Sequence, residues 1–209
     1  MAITFQGNTS TNATSTAISP HRVGDLILVF AYRSTSATAI TVPAASATVP
    51  TWITLGTSSA NATSSVLAYA FATRSGHTSG TWSGTTNIST TIIRGVASIG
   101  SVARNTGSSN TINYPALTPQ NPNGTSVIMA HAAHNFGSST TGIDNPPLGM
   151  LRYFAGFTNP RLVLHYSASV LNFPRGLTSF SSTNVTNSTS SSWTSWVFEV
   201  KPRRTSVIS

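Results

Sequence analysis

The residues best suited to metal chemistry are two histidines close together in the chain. His131 and His134 are three positions apart, so a strand would place them on opposite faces, whereas two ligands on one strand face need a spacing of two. This spacing favours hydrogen bonding near a strand end over metal binding. The other histidines, His21, His77 and His165, stand alone in the sequence. We therefore predict no metal site.

Carboxylates are too few for most catalytic arrangements, because the chain has only Asp25, Asp144 and Glu199. A serine hydrolase needs an acid to orient its histidine, and a glycosidase needs two carboxylates at one cleft. The sequence GHTSG at 76–80 resembles a nucleophile elbow, but threonine takes the serine position and no strand–turn–helix pattern surrounds it. No glycine-rich nucleotide loop is present. We predict a protein that is not an enzyme and carries no cofactor.

The composition indicates a packed domain with an unusual surface. Hydrophobic residues make up 39% of the 209 positions, which is enough for a core. Charged residues make up 7%, against roughly 25% in ordinary soluble domains. Serine and threonine fill about a third of the chain, so hydroxyl groups must cover much of the surface. The lack of cysteine excludes disulfides and thiolate ligands. No signal peptide or apolar membrane span is expected, and we predict no membrane partner.

The basic character comes from missing acids rather than from massed bases. The formal net charge is +8 and the pI is about 11.2, yet most arginines are scattered singly. Only Lys201, Arg203 and Arg204 form a cluster, beside the C-terminus. Nucleic-acid binding needs concentrated positive charge, so the pattern argues against it and favours an acidic protein surface as the partner.

Hydrophobic residues alternate with small or polar ones along most of the chain, as strands require. Bulky residues share one parity in four runs: residues 26–33, 66–73, 161–168 and 192–200. The opposite parity is less bulky, with Ala and Ser among its residues, and we predict sheets with one face toward water or a partner. About a dozen strands are expected. The fold class predicted is all-β, a two-sheet antiparallel β-sandwich of jelly-roll type.

An internal repeat divides the chain into two halves. Four pairs of matching segments occur in the same order, offset by 97 to 100 positions; GDLILVFAY from Gly24 and GTSVIMAHA from Gly124 are one pair. We predict one domain over residues 1–209, built from pseudo-repeats of about 100 residues at 1–104 and 105–209. Two architectures remain open. The halves interleave in one large sandwich, which we favour, or they form two small sandwiches in tandem.

Five short segments follow one another in a recognisable order: GDLILV at 24–29, PTWIT at 50–54, IRGV at 93–96, PPLGM at 146–150 and WVFEV at 196–200. Taken together, they resemble a family of β-sandwich proteins and domains common in bacteriophage structural genes and bacterial surface proteins. The family pattern is a GDLLL strand, a PAGWT segment, an LRYSGV-like strand, a PPAGMT segment and a final aromatic-aliphatic strand. The match spans roughly residues 14 to 202, but no glycine precedes Trp52 and the segment after Val96 is shortened.

The resemblance implies that the protein belongs to a virion or a cell surface and that it catalyses no reaction. We expect a structural accessory protein on the exterior of a tailed-phage particle, most simply a capsid decoration or cement protein. Its partners would be the major capsid protein or other virion proteins, and it would form a homo-oligomer. The alternative is a tail or tail-fibre component that binds carbohydrate on the host surface.

Four residues are candidates for contact with a protein partner or a glycan. Trp82 lies in a Gly/Ser-rich turn region, and Trp193 has the parity opposite to the core residue Trp196, so both indoles are candidate stacking surfaces. Arg203 and Arg204 carry the terminal positive charge.

Overall fold

The computed structural model describes residues 3–121, 125–135, 150–156, 161–167 and 183–203, and every regular element among them is a β-strand. In chain order the strands are β1 (Thr4–Thr11), β2 (Leu26–Arg33), β3 (Ile53–Ala60), β4 (Thr63–Phe71), β5 (Asn87–Arg94), β6 (Val96–Tyr114), β7 (Val127–His134), β8 (Met150–Gly156), β9 (Arg161–Ser167) and β10 (Thr183–Pro202). The prediction of an all-β fold is confirmed.

The strands form two antiparallel five-stranded sheets, as predicted for a sandwich. The first sheet has the order β1-β5-β2-β4-β3 and the second has the order β6-β10-β7-β9-β8. The first five strands of the chain therefore make one sheet and the last five make the other. The halves do not interleave strand by strand. Each half supplies a complete layer, and the two layers pack into one sandwich.

The two sheets share their strand order when each half is counted from its own first strand. They also share an irregularity. The register shifts between Thr54 and Gly56 in β3, and again between Arg152 and Phe154 in β8, 98 positions further along the chain. β-Bulges redirect a strand at a defined point and are seldom accidental. The repetition is therefore a property of the backbone arrangement, while the repeat in amino-acid sequence stays a prediction.

One residue carries the chain from the first sheet to the second. β5 ends at Arg94 and β6 begins at Val96, and Gly95 between them has a φ of 83°. This left-handed conformation is easy for glycine and strained for other residues. The chain thus changes sheets at Gly95, and Arg104, the predicted end of the first pseudo-repeat, lies in the middle of β6. Alternation continues through both strands, so the sequence pattern did not reveal where the chain changes sheets.

The inner faces of the two sheets form the main hydrophobic core. Side chains from β2, β4 and β5 meet side chains from β7 and β10 there. The fully or nearly fully buried members are Leu26, Leu28, Phe30, Tyr32, Leu67, Ile93, Val96, Val127, Met129, Ala133, Trp196, Phe198 and Val200. The predicted inward parity of residues 26–33 and 196–200 is confirmed.

The described outward positions of the central strands are buried as well, which corrects the expectation of a face open to water or a partner there. On the first sheet, Ile27, Val29 and Ile92 lie under the connecting segments 34–52 and 72–86. On the second, Ile128 and Val197 belong to another buried cluster. Alanine and valine at the outward positions leave a flat apolar surface, and long loops that pack on it gain by removing it from water.

Each half should be unable to fold alone, because the inner face of its sheet would be exposed. A fragment of residues 1–95 is expected to show no cooperative thermal unfolding by circular dichroism. Mixing it with the matched fragment 96–209 should restore the transition. Cooperative unfolding of 1–95 by itself would show that the halves are independent domains.

The turn between β3 and β4 stores a small strain. Asn61 and Ala62 connect the two strands with φ values of 52° and 57°. Turns of this kind favour Asn followed by Gly, because an alanine methyl is crowded at positive φ. Ala62→Gly should raise the free energy of unfolding by about 1 kcal/mol in urea denaturation. The control Ala60→Gly, in β3 itself, should lower it. Equal effects of the two changes would contradict this assignment of strain.

Candidate functional site: a groove between two edge strands

Asp25 serves the structure of the first sheet. Its side chain is 2% exposed, and both of its oxygens accept hydrogen bonds of 2.8 Å from the Arg94 guanidinium. The N–H of Arg22 donates to the same carboxylate at 3.0 Å. Burial raises the pKa of Asp25, but the bonds and positive charge of Arg94 and Arg22 outweigh this and hold the pKa below its ordinary value.

Glu199 is fully buried in β10 and gathers three parts of the second half around it. Its carboxylate accepts hydrogen bonds from Ser126 Oγ at 2.7 Å and from the N–H groups of Gln120, Asn121 and Ser101 at 2.7, 3.0 and 3.3 Å. Burial raises the pKa of Glu199, yet these four donors more than offset it and lower the pKa. The carboxylate joins β6, β7 and the segment between them.

Both carboxylates in the described part of the chain are therefore inside the protein. The third, Asp144, lies outside the described residues. Exposed arginines remain on the surface at Arg22, Arg74, Arg104 and Arg203. Across the described residues, the surface carries positive charge and hydroxyl groups without an exposed carboxylate to balance them.

The candidate metal pair is buried. His131 lies in the inter-sheet core, with its ring centroid 4.6 Å from that of Phe30 and 6.3 Å from that of Phe198. His134 is 0% exposed. Among the described residues, no three His, Cys, Asp or Glu side chains are grouped so that they could hold a metal ion. His131 thus packs as an aromatic ring.

His21 and His77 form an unforeseen stacked pair outside the first sheet, with ring centroids 5.7 Å apart and planes at 5°. The N–H of His77 donates to His21 Nε2 at 3.1 Å, and the N–H of Thr73 donates to His77 Nε2 at 3.2 Å. Each Nδ1 faces a carbonyl oxygen, of Ser19 and Thr48 respectively. Nε2 of each ring therefore accepts a backbone N–H, and each Nδ1 lies within hydrogen-bond distance of a carbonyl oxygen. The pair joins three covering segments, and the GHTSG loop has a structural role.

The two tryptophans proposed as stacking surfaces are buried. Trp82 is 0% exposed, and its Nε1–H donates to the carbonyl oxygen of Ser79 at 2.9 Å. Trp193 is 4% exposed, and its Nε1–H donates to Ser109 Oγ at 3.1 Å. Trp193 belongs to a buried cluster of the second sheet, as expected for an indole that packs in a core. Neither indole presents a ring face to a ligand.

Arg203 holds the junction between the sheets. Its Nε–H donates to the carbonyl oxygen of Val96 at 3.0 Å, its Nη2–H donates to Gly24 at 2.9 Å, and its backbone N–H donates to Gly95 at 2.8 Å. The guanidinium therefore ties the end of β10 to both sheets. Arg204 lies outside the described residues.

An open groove runs between β3 and β6, which are edge strands of the two sheets. It contains two adjoining cavities of about 390 and 240 Å³, and Arg104 lines both. The walls are residues 55–60 of β3 and 102–106 of β6, with Trp196 between them. Thr57, Ser58, Ser59, Asn105 and Thr106 supply polar groups, and no acidic residue lines the groove.

Arg104 is the one charged residue of β6, and it lies over Trp196. Its guanidinium carbon is 5.8 Å from the ring centroid, within the range of a cation–π contact. Trp196 is fixed in turn, because its Nε1–H donates to Ser65 Oγ at 3.1 Å. Gly56 makes this close packing possible, since a Cβ there would lie 2.8 Å from the indole ring. The groove thus has a rigid aromatic floor and a positioned cation.

Sequence reasoning treated Arg104 only as a boundary of the repeat. Its isolation as a single charge in a long run of small and hydroxyl residues was the available signal. That signal did not show that β3 would lie opposite, because the two strands belong to different sheets.

No protein-family model matches the chain, and neither the curated proteins nor the solved structures contain a match to it. Within the described residues there is no helix of the length and apolarity needed to cross a membrane.

Glu199→Gln should destabilise the fold by roughly 2–4 kcal/mol, because an amide cannot accept all four donors. Since the folded-state pKa is below the ordinary 4.5, the wild-type carboxylate stabilises fully above that value and loses this contribution as pH falls through the folded-state pKa. Urea unfolding from pH 7 to pH 3, followed by tryptophan fluorescence, measures both effects.

The matched variant Ser126→Ala removes one donor and should cost only about 1 kcal/mol. The Glu199→Gln protein should also lose part of the acid sensitivity of the wild type. An unchanged acid profile would show that Glu199 is not the carboxylate responsible.

Proposed function

We propose that this protein is a structural accessory protein of a tailed-phage virion, which decorates or cements the capsid through protein–protein contacts. It would lie on the exterior of the particle as a homo-oligomer, in contact with the major capsid protein or other virion proteins. The family resemblance in the sequence motivates the setting. One structural observation supports the mode of action: both described carboxylates are buried, so the surface is cationic and rich in hydroxyl groups.

This surface is suited to an acidic protein partner. Arg22, Arg74 and Arg104 can approach acidic groups without competition from a neighbouring exposed carboxylate in the described residues. Serine and threonine hydroxyls both donate and accept hydrogen bonds, so they can adapt to a polar partner. Charge complementarity would guide association and set its orientation.

Binding is a better account of these residues than catalysis. Asp25 and Glu199 are fully engaged by the donors that hold the fold together. His21 and His77 accept backbone N–H groups through Nε2, and His131 packs between phenylalanine rings. The groove contains one arginine and several hydroxyls but no general base.

The described residues give less support to the glycan alternative. A tail or tail-fibre protein that bound host carbohydrate would use exposed aromatic rings, and Trp82 and Trp193 were the candidates. Both are buried. No observation in the described residues favours this alternative over capsid binding.

Purified protein should cosediment with capsids of the phage that encodes it and should raise their resistance to heat. Because the contacts are electrostatic, binding should weaken by about tenfold or more between 50 and 300 mM salt. Isolated tails of the same phage are the matched control. Cryo-EM density on the capsid lattice would support the proposal, whereas density only at the tail, or none on the particle, would overturn it.

A further inference from the structure

The groove between β3 and β6 is bounded by strand edges rather than by strand faces. Side chains alternate along a strand, so a pocket on one face is lined by every second residue. Here consecutive residues contribute from each strand, 55–60 from β3 and 102–106 from β6. The chemistry available along the groove is therefore that of two backbone edges, with N–H and C=O groups spaced for an extended polypeptide.

β6 offers the more regular edge. Its residues 102–109 pair with β10 from Phe198 to Ser191 without a register shift, which leaves eight consecutive residues on a flat edge. β3 is interrupted within the groove by the bulge between Thr54 and Gly56. Eight residues are enough for an added strand, because strands in globular proteins are most often five or six residues long.

The backbone N–H of Thr106 points away from β10. In the free protein it donates to the side-chain Oδ1 of Asn105 at 2.9 Å, a bond that an added strand would replace. Alternate residues of an antiparallel edge strand direct their N–H and C=O groups off the sheet. Arg104 and Ser108 share the parity of Thr106, so their backbone groups are directed to the same side.

Within residues 102–109, β6 has one feature that protects an edge strand, the charge of Arg104 on the same face as Trp196. Natural edges are guarded by lysine, proline, inward charges or bulges. The nineteen residues Val96–Tyr114 contain no proline, lysine or acid, and the register shifts of the pairing with β10 lie outside residues 102–109. Arg104 is the single charge on this edge. The charge of Arg104 therefore disfavours an incoming strand that carries a positive charge opposite it.

We propose that the 102–109 edge of β6 accepts an extended segment of a partner protein as an additional strand, with a carboxylate of that segment on Arg104. The strand would continue the second sheet, and its inward side chains would enter the cavity above Trp196. This inference rests on the proposed function and names the element of the partner that docks.

Charge decides against a second copy of this chain as the occupant. Symmetric antiparallel pairing of two β6 edges about the groove would bring two Arg104 side chains together, which is unfavourable. The described surface of a second copy also offers no exposed carboxylate. A partner with an acidic extended segment would supply a carboxylate for Arg104. This chain cannot supply one from its described residues, because Asp25 and Glu199 are buried.

Nine-residue peptides of alternating valine and threonine, with Glu, Gln or Lys at the centre, provide the probe. Amide hydrogen exchange by NMR should show protection at residues 104, 106 and 108 when the Glu peptide is added. The Glu peptide should bind about tenfold more tightly than the Lys peptide, as expected for one charge-assisted contact. Arg104→Gln should abolish this preference. Arg74→Gln, which changes an exposed arginine outside the groove, should retain it.

Three results would overturn the inference: no protection on β6 with any peptide, equal affinity for the Glu and Lys peptides, or concentration-dependent protection of β6 without peptide. The last result would assign the edge to a second copy. Arg104→Glu separates this inference from the proposed function. If Arg104→Glu binds capsids as well as the wild type does, the docking edge is refuted and the proposed function stands. If the wild-type protein binds the Glu peptide but not capsids, the proposed function is refuted and the docking edge stands.

Discussion

Burial of the two inner sheet faces against each other is the interaction on which the rest of the structure depends. A single five-stranded sheet would expose Leu28, Phe30 and Leu67 on one face to water, which is unfavourable. The second half of the chain supplies the matching face through Met129 and Phe198. Because each half makes a whole sheet, the sandwich forms only when both halves are present, although the chain changes sheets at one glycine.

The scarcity of charge has a consistent structural explanation. Asp25 neutralises Arg94 beside the junction, and Glu199 satisfies four donors at the end of the second sheet. A buried carboxylate destabilises the fold unless its oxygens accept hydrogen bonds, and the carboxylates of both Asp25 and Glu199 do so. The net charge of +8 follows from the composition, and burial of the described acids leaves the exposed arginines to set the charge of the described surface.

The groove follows from the architecture of a sandwich. A barrel closes its edges, whereas two stacked sheets leave edge strands with unpaired backbone groups. Here β3 and β6 come together at one such border, and Trp196 and Arg104 lie at the same place. The outer face of the first sheet is covered by the protein's own connecting segments, so among the described residues this edge is a more available surface for a partner.

The sequence by itself determined the strands and their inward faces. Alternation at Leu26, Leu28 and Phe30 depends only on the two-residue period of a strand, so no tertiary information is needed. The paucity of acids was equally visible. Parity assigned Trp193 to the face opposite Trp196, but parity does not tell whether a face is buried.

Tertiary structure alone decided how the strands are ordered, where the sheets divide and which residues meet across them. Gly95 marks the change of sheet because of its φ angle, which alternation cannot report. Arg104, Trp196 and Gly56 come together although they are far apart in the chain, since sheet order and layer packing are set by long-range contacts. Local sequence specifies the period of each strand, and only the packed sandwich specifies its neighbours.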